Sequence, residues 1–168
     1  MPTSPDATPT ARPPKRLFRL GPVADPLSLA DTPDGPWDDP AGVRALHLFS
    51  TRRGALLAAL GGAGRDSLAG CAIVPVRVDD PRSYLDLRDP DALPPAVAAI
   101  AENRAALLAR ADAAGLAGIV DAVPGAPTQA RWVLPDRAAA RMLATPQLLS
   151  PHDPDLVAVR RLLDAAGR

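Results

Sequence analysis

The apolar residues of this chain fall mostly in short runs of strand length bounded by proline and glycine, and this spacing constrains the fold more than any other feature. The runs that predict β-strands are 16–20, 44–50, 72–78, 117–123 and 130–134. Helical patterns cover 51–60, 94–114, a short alanine-rich segment from Asp136 and a last segment from Asp153. Because strands and helices do not alternate regularly, we expect an α+β domain with a small mixed sheet and one long helix.

Local signals place the boundaries of several of these elements. Ser50 or Thr51 can cap the helix over 51–60. The longest expected helix, 94–114, has Pro94 in its first turn and Gly115 at its C-terminal end. The sequence Pro-Gly-Ala-Pro at 124–127 is a turn signal, so the two last strands are expected to form a hairpin.

The length of 168 residues suits one compact domain. Residues 1–14 combine proline, threonine, serine and alanine without periodicity, so we expect a disordered tail there. The domain itself is then expected over 15–150, followed by a C-terminal helix over 151–168. With 47% hydrophobic residues and only 3% aromatic ones, its core must be aliphatic.

Charge and composition argue against several classes of function. The net charge of zero disfavours nucleic-acid binding, which needs a basic excess. A single cysteine, Cys71, excludes disulfide frameworks and cysteine-based zinc sites, and the two histidines do not make a metal site on their own. No secretory leader and no run of about 18 apolar residues is present, so we expect a cytoplasmic protein without a membrane span.

Some charged and polar residues are candidates for a catalytic or binding site. Aspartate pairs at 38–39 and 79–80 are interpreted as turn residues that bond to the backbone rather than as catalytic carboxylates. His47, inside a strand, is interpreted as a buried histidine satisfied by hydrogen bonds. Arg52 and Arg53 at a helix start oppose the helix dipole, so they are either tolerated at the surface or attract an anion.

Several segments, taken in order, resemble a known family. They are LFRL at 17–20, GPWDDP at 35–40, LHL at 46–48 with the helix after it, YLDLRD at 84–89 and LAGI at 116–119. In this order they resemble the RES domain, the toxin component of bacterial toxin–antitoxin pairs, which is named for an arginine, a glutamate and a serine. The resemblance implies a fold similar to that of ADP-ribosyltransferases, NAD as substrate or ligand, and an antitoxin protein as partner. The resemblance does not decide whether the chain forms a homodimer.

The resemblance also implies roles for individual residues. Arg19 matches the family's arginine, and His47 stands where the family has a tyrosine, keeping a ring that can form hydrogen bonds. Together with Trp37, these two residues are the expected contacts to NAD.

The other family positions differ in this chain. The family has a glycine, arginine, aromatic turn that GPWDDP resembles, and its arginine corresponds to Pro36. The glutamate corresponds to Ala58, and the serine falls near Val123. The only glutamate, Glu102, is far from the expected position, so the sole candidate for a substitute acid is Asp121.

The leading hypothesis is therefore a RES-like binding domain that has lost catalysis. The alternatives are an active NAD-consuming toxin whose acid is Asp121, neutralised by its antitoxin, and an unrelated small α+β domain.

Overall fold

A computed structural model of the chain describes residues 8–28, 45–62 and 68–167. In these segments eight strands form one mixed sheet in the order β1-β5-β6-β7-β3-β2-β4-β8, and all neighbouring pairs are antiparallel except β5 and β6. The strands are β1 (Thr10–Ala11), β2 (Leu17–Pro22), β3 (Leu46–Phe49), β4 (Cys71–Val78), β5 (Tyr84–Asp86), β6 (Ile119–Val123), β7 (Ala126–Leu134) and β8 (Ala140–Met142). The α-helices are α1 (Arg52–Gly62), α2 (Pro95–Ala98), α3 (Arg104–Ala113) and α4 (Pro154–Ala165). The α+β class is confirmed.

Both faces of the sheet are covered, but by different parts of the chain. On one face, called here the loop face, Leu17, Leu48 and Trp132 share a core cluster with Leu27 from the turn after β2. The opposite face, called here the helix face, is covered by the helices. Its apolar strand residues pack against α1 and α4 at one end and against α3 at the other. Each central strand is therefore buried on both sides, which explains why its sequence is almost continuously apolar.

The start of α1 follows the expected pattern. Thr51 Oγ1 accepts a hydrogen bond from the backbone N–H of Gly54 at 2.9 Å, as an N-cap residue does. The hydroxyl of Ser50 instead accepts from Trp132 Nε1 at 3.1 Å. Of the two capping candidates, Thr51 is the cap.

The two arginines at the start of α1 form ion pairs with aspartates of the same chain. Arg52 donates to Asp153 at 2.6 Å and to Asp155 at 3.0 Å, and Arg53 donates to Asp155 at 2.9 Å. The hydrogen bond from Arg53 is the main reason that the pKa of Asp155 is lowered, against the opposing effect of burial. These ion pairs join the first turns of α1 and α4, so the arginines attach the C-terminal helix to the domain.

The hairpin of β6 and β7 also forms as expected. Gly125 in its turn has a φ of 76°, in the left-handed region that glycine tolerates. A register shift between Ala122 and Val123 interrupts the ladder. Beyond that shift, Asp121 lies opposite Arg131.

The expectation of one long helix over 94–114 is wrong. The segment forms α2 and α3 with a break between them. The side chain of Asn103 accepts a hydrogen bond from the backbone N–H of Ala106 at 3.0 Å and so caps α3. Asparagine favours this capping geometry over a helix interior, which ends the first helix early. Gly115 does end the second, with a φ of 70°.

The prediction of a helix from Asp136 is wrong as well. The segment is a single 3₁₀ turn, Arg137–Ala139, in which Asp136 accepts from the N–H of Ala138 at 2.9 Å. The chain then continues directly into β8, which pairs with β4. Extended pairing at the sheet edge therefore overrides the helical propensity of three successive alanines.

The prediction of a disordered tail over 1–14 is wrong for residues 8–14, which the structure describes. Thr10 and Ala11 form β1 and pair with β5, and the N–H of Asp86 donates to the carbonyl of Pro9 at 2.9 Å. Composition did not indicate this strand because backbone hydrogen bonds to an open sheet edge need no apolar side chains. Residues 1–7 lie outside the described segments.

Deleting residues 1–14 is therefore expected to destabilise the domain. Loss of the β1 contacts leaves the edge of β5 unpaired, at a cost of about 1 kcal/mol, equivalent to a fall of roughly 2–4 °C in Tm for a domain of this size. Differential scanning calorimetry of the full and shortened chains measures the difference. An unchanged Tm would show that β1 contributes nothing to stability.

Candidate functional site

Four arginine, histidine or aspartate side chains are buried in the described part of the sheet. Arg19, His47, Asp121 and Arg131 are 3%, 8%, 7% and 4% exposed. They come from β2, β3, β6 and β7, which are consecutive in the sheet. Because burying polar groups is costly unless they have partners, their contacts show what each residue does.

Arg19 lies on the loop face and bonds to backbone carbonyls. Its Nε donates to Pro26 at 3.2 Å, and its two terminal nitrogens donate to His47 and Ser28, both at 3.4 Å. These bonds hold the turn after β2 against the neighbouring strand β3. Arg19 therefore helps to fix this turn.

The expected meeting of Arg19 and the His47 ring does not occur. The two strands are indeed neighbours, with Phe18 opposite Phe49. Since side chains alternate along a strand, this register places Arg19 on the loop face and the imidazole on the helix face. The guanidinium reaches His47 only at its carbonyl oxygen, so the two side chains do not line one cavity.

Asp121 and Arg131 form an ion pair with two hydrogen bonds on the helix face. Arg131 Nε donates to Oδ1 at 2.9 Å and Nη2 donates to Oδ2 at 2.6 Å. Both carboxylate oxygens of Asp121 are thus engaged by the same guanidinium. This is the strongest geometry for such a pair, and it neutralises the carboxylate that was the candidate acid.

His47 lies on the same face, next to this pair. Burial, together with the positive charges of Arg131 and Arg19, lowers the pKa of His47 to about 3, so the ring is neutral near pH 7. Within the described segments its Nε2 has no hydrogen-bond partner, contrary to the expectation of a satisfied histidine. This nitrogen is unpartnered but buried, so a hydroxyl or amide group of a ligand can bond to it only after the side chains that cover it move.

Ala58, where the resemblance to the RES domain implies a glutamate, lies on the same face of the sheet as these residues. It is half-buried on α1 and packs in a cluster with Phe49 and Val123, which lie on the helix face. Residues 52–62 contain no acidic residue. The helix therefore presents an apolar surface at the position where the resemblance implies a carboxylate.

Sequence reasoning missed Arg131, which the structure places at the centre of the site. The only sequence signal was a charged residue inside an otherwise apolar strand. Trp37, Pro36 and the aspartate pair 38–39 lie outside the described segments.

The second aspartate pair has only part of the expected backbone bonding. Asp80 accepts from the backbone N–H of Arg82 at 2.9 Å and from its guanidinium at 2.6 Å, whereas Asp79 accepts from the Arg77 side chain at 2.6 Å. In the segments that the structure describes, no group of three or more histidine, cysteine, aspartate or glutamate residues could hold a metal ion.

Comparisons with family models, curated proteins and solved structures find no match to this chain. Of the helices the structure describes, none combines the length and the apolar character needed to cross a membrane. The functional argument therefore depends on the buried group itself, called here the His47 patch and consisting of His47, Asp121 and Arg131.

Proposed function

We propose that this chain is a RES-like domain that binds NAD or a similar ligand at the His47 patch without consuming it. The observation that carries the proposal is the double hydrogen bond between Asp121 and Arg131. This contact balances the charge of the carboxylate, and the imidazole beside it is neutral because it is buried next to positive charge. All three side chains are at most 8% exposed, so we expect a polar ligand to reach the unpartnered Nε2 by displacing the side chains that cover it.

The chemistry of NAD cleavage explains why catalysis is absent. Breaking the bond to nicotinamide develops positive charge on the ribosyl group, and a carboxylate aimed at that charge stabilises it by several kcal/mol. Ala58 cannot supply a carboxylate, and the charge of Asp121 is already compensated by Arg131. The proposed domain therefore lacks the group on which turnover depends.

The arrangement of the matching segments supports the RES-like interpretation. β2 and β3, which carry the LFRL and LHL segments, pair directly. α1 follows β3 and turns Ala58 towards the helix face, where His47 and Asp121 also lie. Of the positions that the resemblance singles out, His47, Ala58 and Val123 lie on one face of the sheet, Arg19 lies on the other, and Pro36 lies outside the described segments.

One observation favours a second candidate, an active NAD-consuming toxin neutralised by an antitoxin protein. Asp121 lies on the same face as His47, on the strand beyond β7. If a substrate phosphate displaced the carboxylate from Arg131, Asp121 would become the acid. This candidate differs from the first in predicting turnover.

Binding of NAD is tested by isothermal titration calorimetry of the wild type and His47→Gln. We expect saturable binding that the substitution weakens about tenfold, the effect of losing one hydrogen bond. His152→Gln is the matched control, since His152 is exposed in the turn before α4. Thermal unfolding confirms that each variant is folded. Absence of NAD binding to the wild type would overturn the proposal in favour of an unrelated α+β domain.

A further inference from the structure

The sheet ends at β8 in the described segments, and one side of this strand faces away from its neighbour β4. The carbonyl of Ala139 accepts from the N–H of Asp79 at 2.8 Å, and the N–H of Leu143 donates to the carbonyl of Pro75 at 2.9 Å. Both bonds point towards β4. Since backbone groups alternate in direction along a strand, the N–H and C=O of Met142 point the other way, where a further strand could pair.

Apolar side chains are exposed at this edge. Four large hydrophobic residues are exposed in the described segments, and three of them, Met142, Leu143 and Leu148, lie in 142–148 with exposures of 36%, 42% and 63%. The segment 142–148 contains no charged residue. Edge strands are normally protected from pairing by charged side chains or by a covering element, so an apolar edge of this kind favours an interface.

The two faces of β8 differ in chemistry. Met142 pairs with Val76, a residue of the loop-face core, so its side chain lies on the loop face. Arg141 and Leu143, one position to either side, therefore lie on the helix face. A strand added beside β8 would meet apolar side chains on both faces and one guanidinium on the helix face.

Positive charge is in excess around Arg141. Arg77 lies directly opposite it on β4, and like charges in this arrangement destabilise a sheet. In the described segments one carboxylate, that of Asp79, engages both guanidiniums, at 2.6 Å from Arg77 and 3.4 Å from Arg141. Arg141 makes the longer contact, and its side chain is 69% exposed. A carboxylate on the far side of β8 would therefore balance a charge that this chain balances only in part.

We propose that the β8 edge binds an extended segment of another protein, in which two apolar residues are followed by an acidic one. The segment pairs antiparallel with β8 and bonds to the N–H and C=O of Met142. Its apolar residues lie opposite Leu143 and Met142, and its acidic residue lies opposite Arg141. Because Met142 forms the hydrogen-bonded pair, Arg141 falls in a non-hydrogen-bonded pair, where opposite side chains are closest.

Charge disfavours a second copy of this chain at the same edge. The symmetric antiparallel pairing of two β8 strands through Met142 is centred on that residue. It places the two copies of Arg141 diagonally across the interface, about 7–8 Å apart, with no acidic residue opposite either of them. An acidic partner removes this repulsion. The proposal does not depend on NAD binding, because β8 carries no residue of the His47 patch.

The test uses two peptides of identical composition. The first is acetyl-Lys-Thr-Val-Val-Glu-Thr-Lys-amide, and its isomer acetyl-Lys-Thr-Glu-Val-Val-Thr-Lys-amide moves the glutamate away from Arg141 when the valines are paired. We titrate each into the full-length protein and follow the Met142 amide by NMR. We expect saturable shifts, slower hydrogen exchange of the Met142 N–H, and binding of the isomer about fivefold weaker. Equal affinities, or no saturable shift at Met142, overturn the proposal.

Variants assign the binding to the edge. Arg141→Glu is expected to abolish the preference for the first peptide, whereas Arg160→Glu, the same change at an exposed position of α4, is expected to keep it. Met142→Pro removes the outward N–H at a position where an edge strand tolerates proline, and it is expected to weaken both peptides. Thermal unfolding shows whether each variant is folded. If Arg141→Glu and Arg160→Glu show the same preference, the proposal fails.

Sedimentation of the wild type without peptide tests the alternative occupant. We expect no dimer that depends on this edge. A dimer that Met142→Pro dissociates would assign the edge to a second copy of the chain and would overturn the proposal.

Discussion

Replacing Arg131 with methionine is expected to lower the free energy of unfolding by about 3–5 kcal/mol. The substitution leaves the buried carboxylate of Asp121 without the guanidinium that bonds to both of its oxygens. A buried charge without its partner keeps the full cost of its removal from water. Urea denaturation at pH 7, followed by circular dichroism, measures the change.

The double variant Arg131→Met with Asp121→Val is the control for this interpretation. Replacing both members of a buried pair with apolar residues of similar volume is often neutral, so most of the lost stability should return. If the single substitution costs less than about 1 kcal/mol, the pair is not the buried, mutually dependent contact described here.

Gly118→Ala is expected to destabilise the domain by about 3 kcal/mol or more. A Cβ on Gly118 would lie 2.1 Å from the carbonyl oxygen of Val133 and 3.2 Å from the ring of Tyr84. The first contact is with backbone, so β6 and β7 would have to separate. Thermal and urea unfolding of the variant test this expectation.

Gly61→Ala is the matched substitution with the opposite expected sign. Gly61 lies in α1, and a Cβ there meets nothing within 4 Å. Alanine is the better helix former, so the variant should gain roughly 0.5 kcal/mol. Similar losses in both variants would contradict the close approach of backbone at Gly118.

The elements that the sequence predicted well are those with strong local patterns. The hairpin of β6 and β7 follows from two apolar runs and a Pro-Gly turn, and α4 follows from Asp153 and its apolar stripe. The break before α3 could have been read from Asn103, a capping residue inside an apparently continuous pattern. β1 could not, because its two residues are held by backbone pairing with β5.

The candidate site was harder to predict because it depends on strand register. A regular hairpin with the same turn would pair Asp121 with Thr128, whereas the register shift brings Arg131 opposite it. Likewise, Arg19 and His47 lie on adjacent strands, but the pairing of Phe18 with Phe49 places their side chains on opposite faces. Both faces of these strands are buried, so they lack the alternation of apolar and polar residues from which register is normally predicted.

The register shift also bears on the proposed function. It places a guanidinium on Asp121, the carboxylate that was the candidate acid in the RES-like interpretation. His47 keeps a buried, unpartnered Nε2 beside that pair. Under the proposal, the same shift therefore accounts both for the absence of an acid and for a polar group that can bind a ligand.

Nicotinamide release from NAD by the purified wild-type chain tests the proposed loss of catalysis most directly. We expect release indistinguishable from a buffer control, far below the roughly 1–1000 per second typical of enzymes, because no uncompensated carboxylate faces the His47 patch in the described segments. Release in the enzymatic range that disappears in Asp121→Asn would contradict this expectation and would assign the catalytic acid to Asp121.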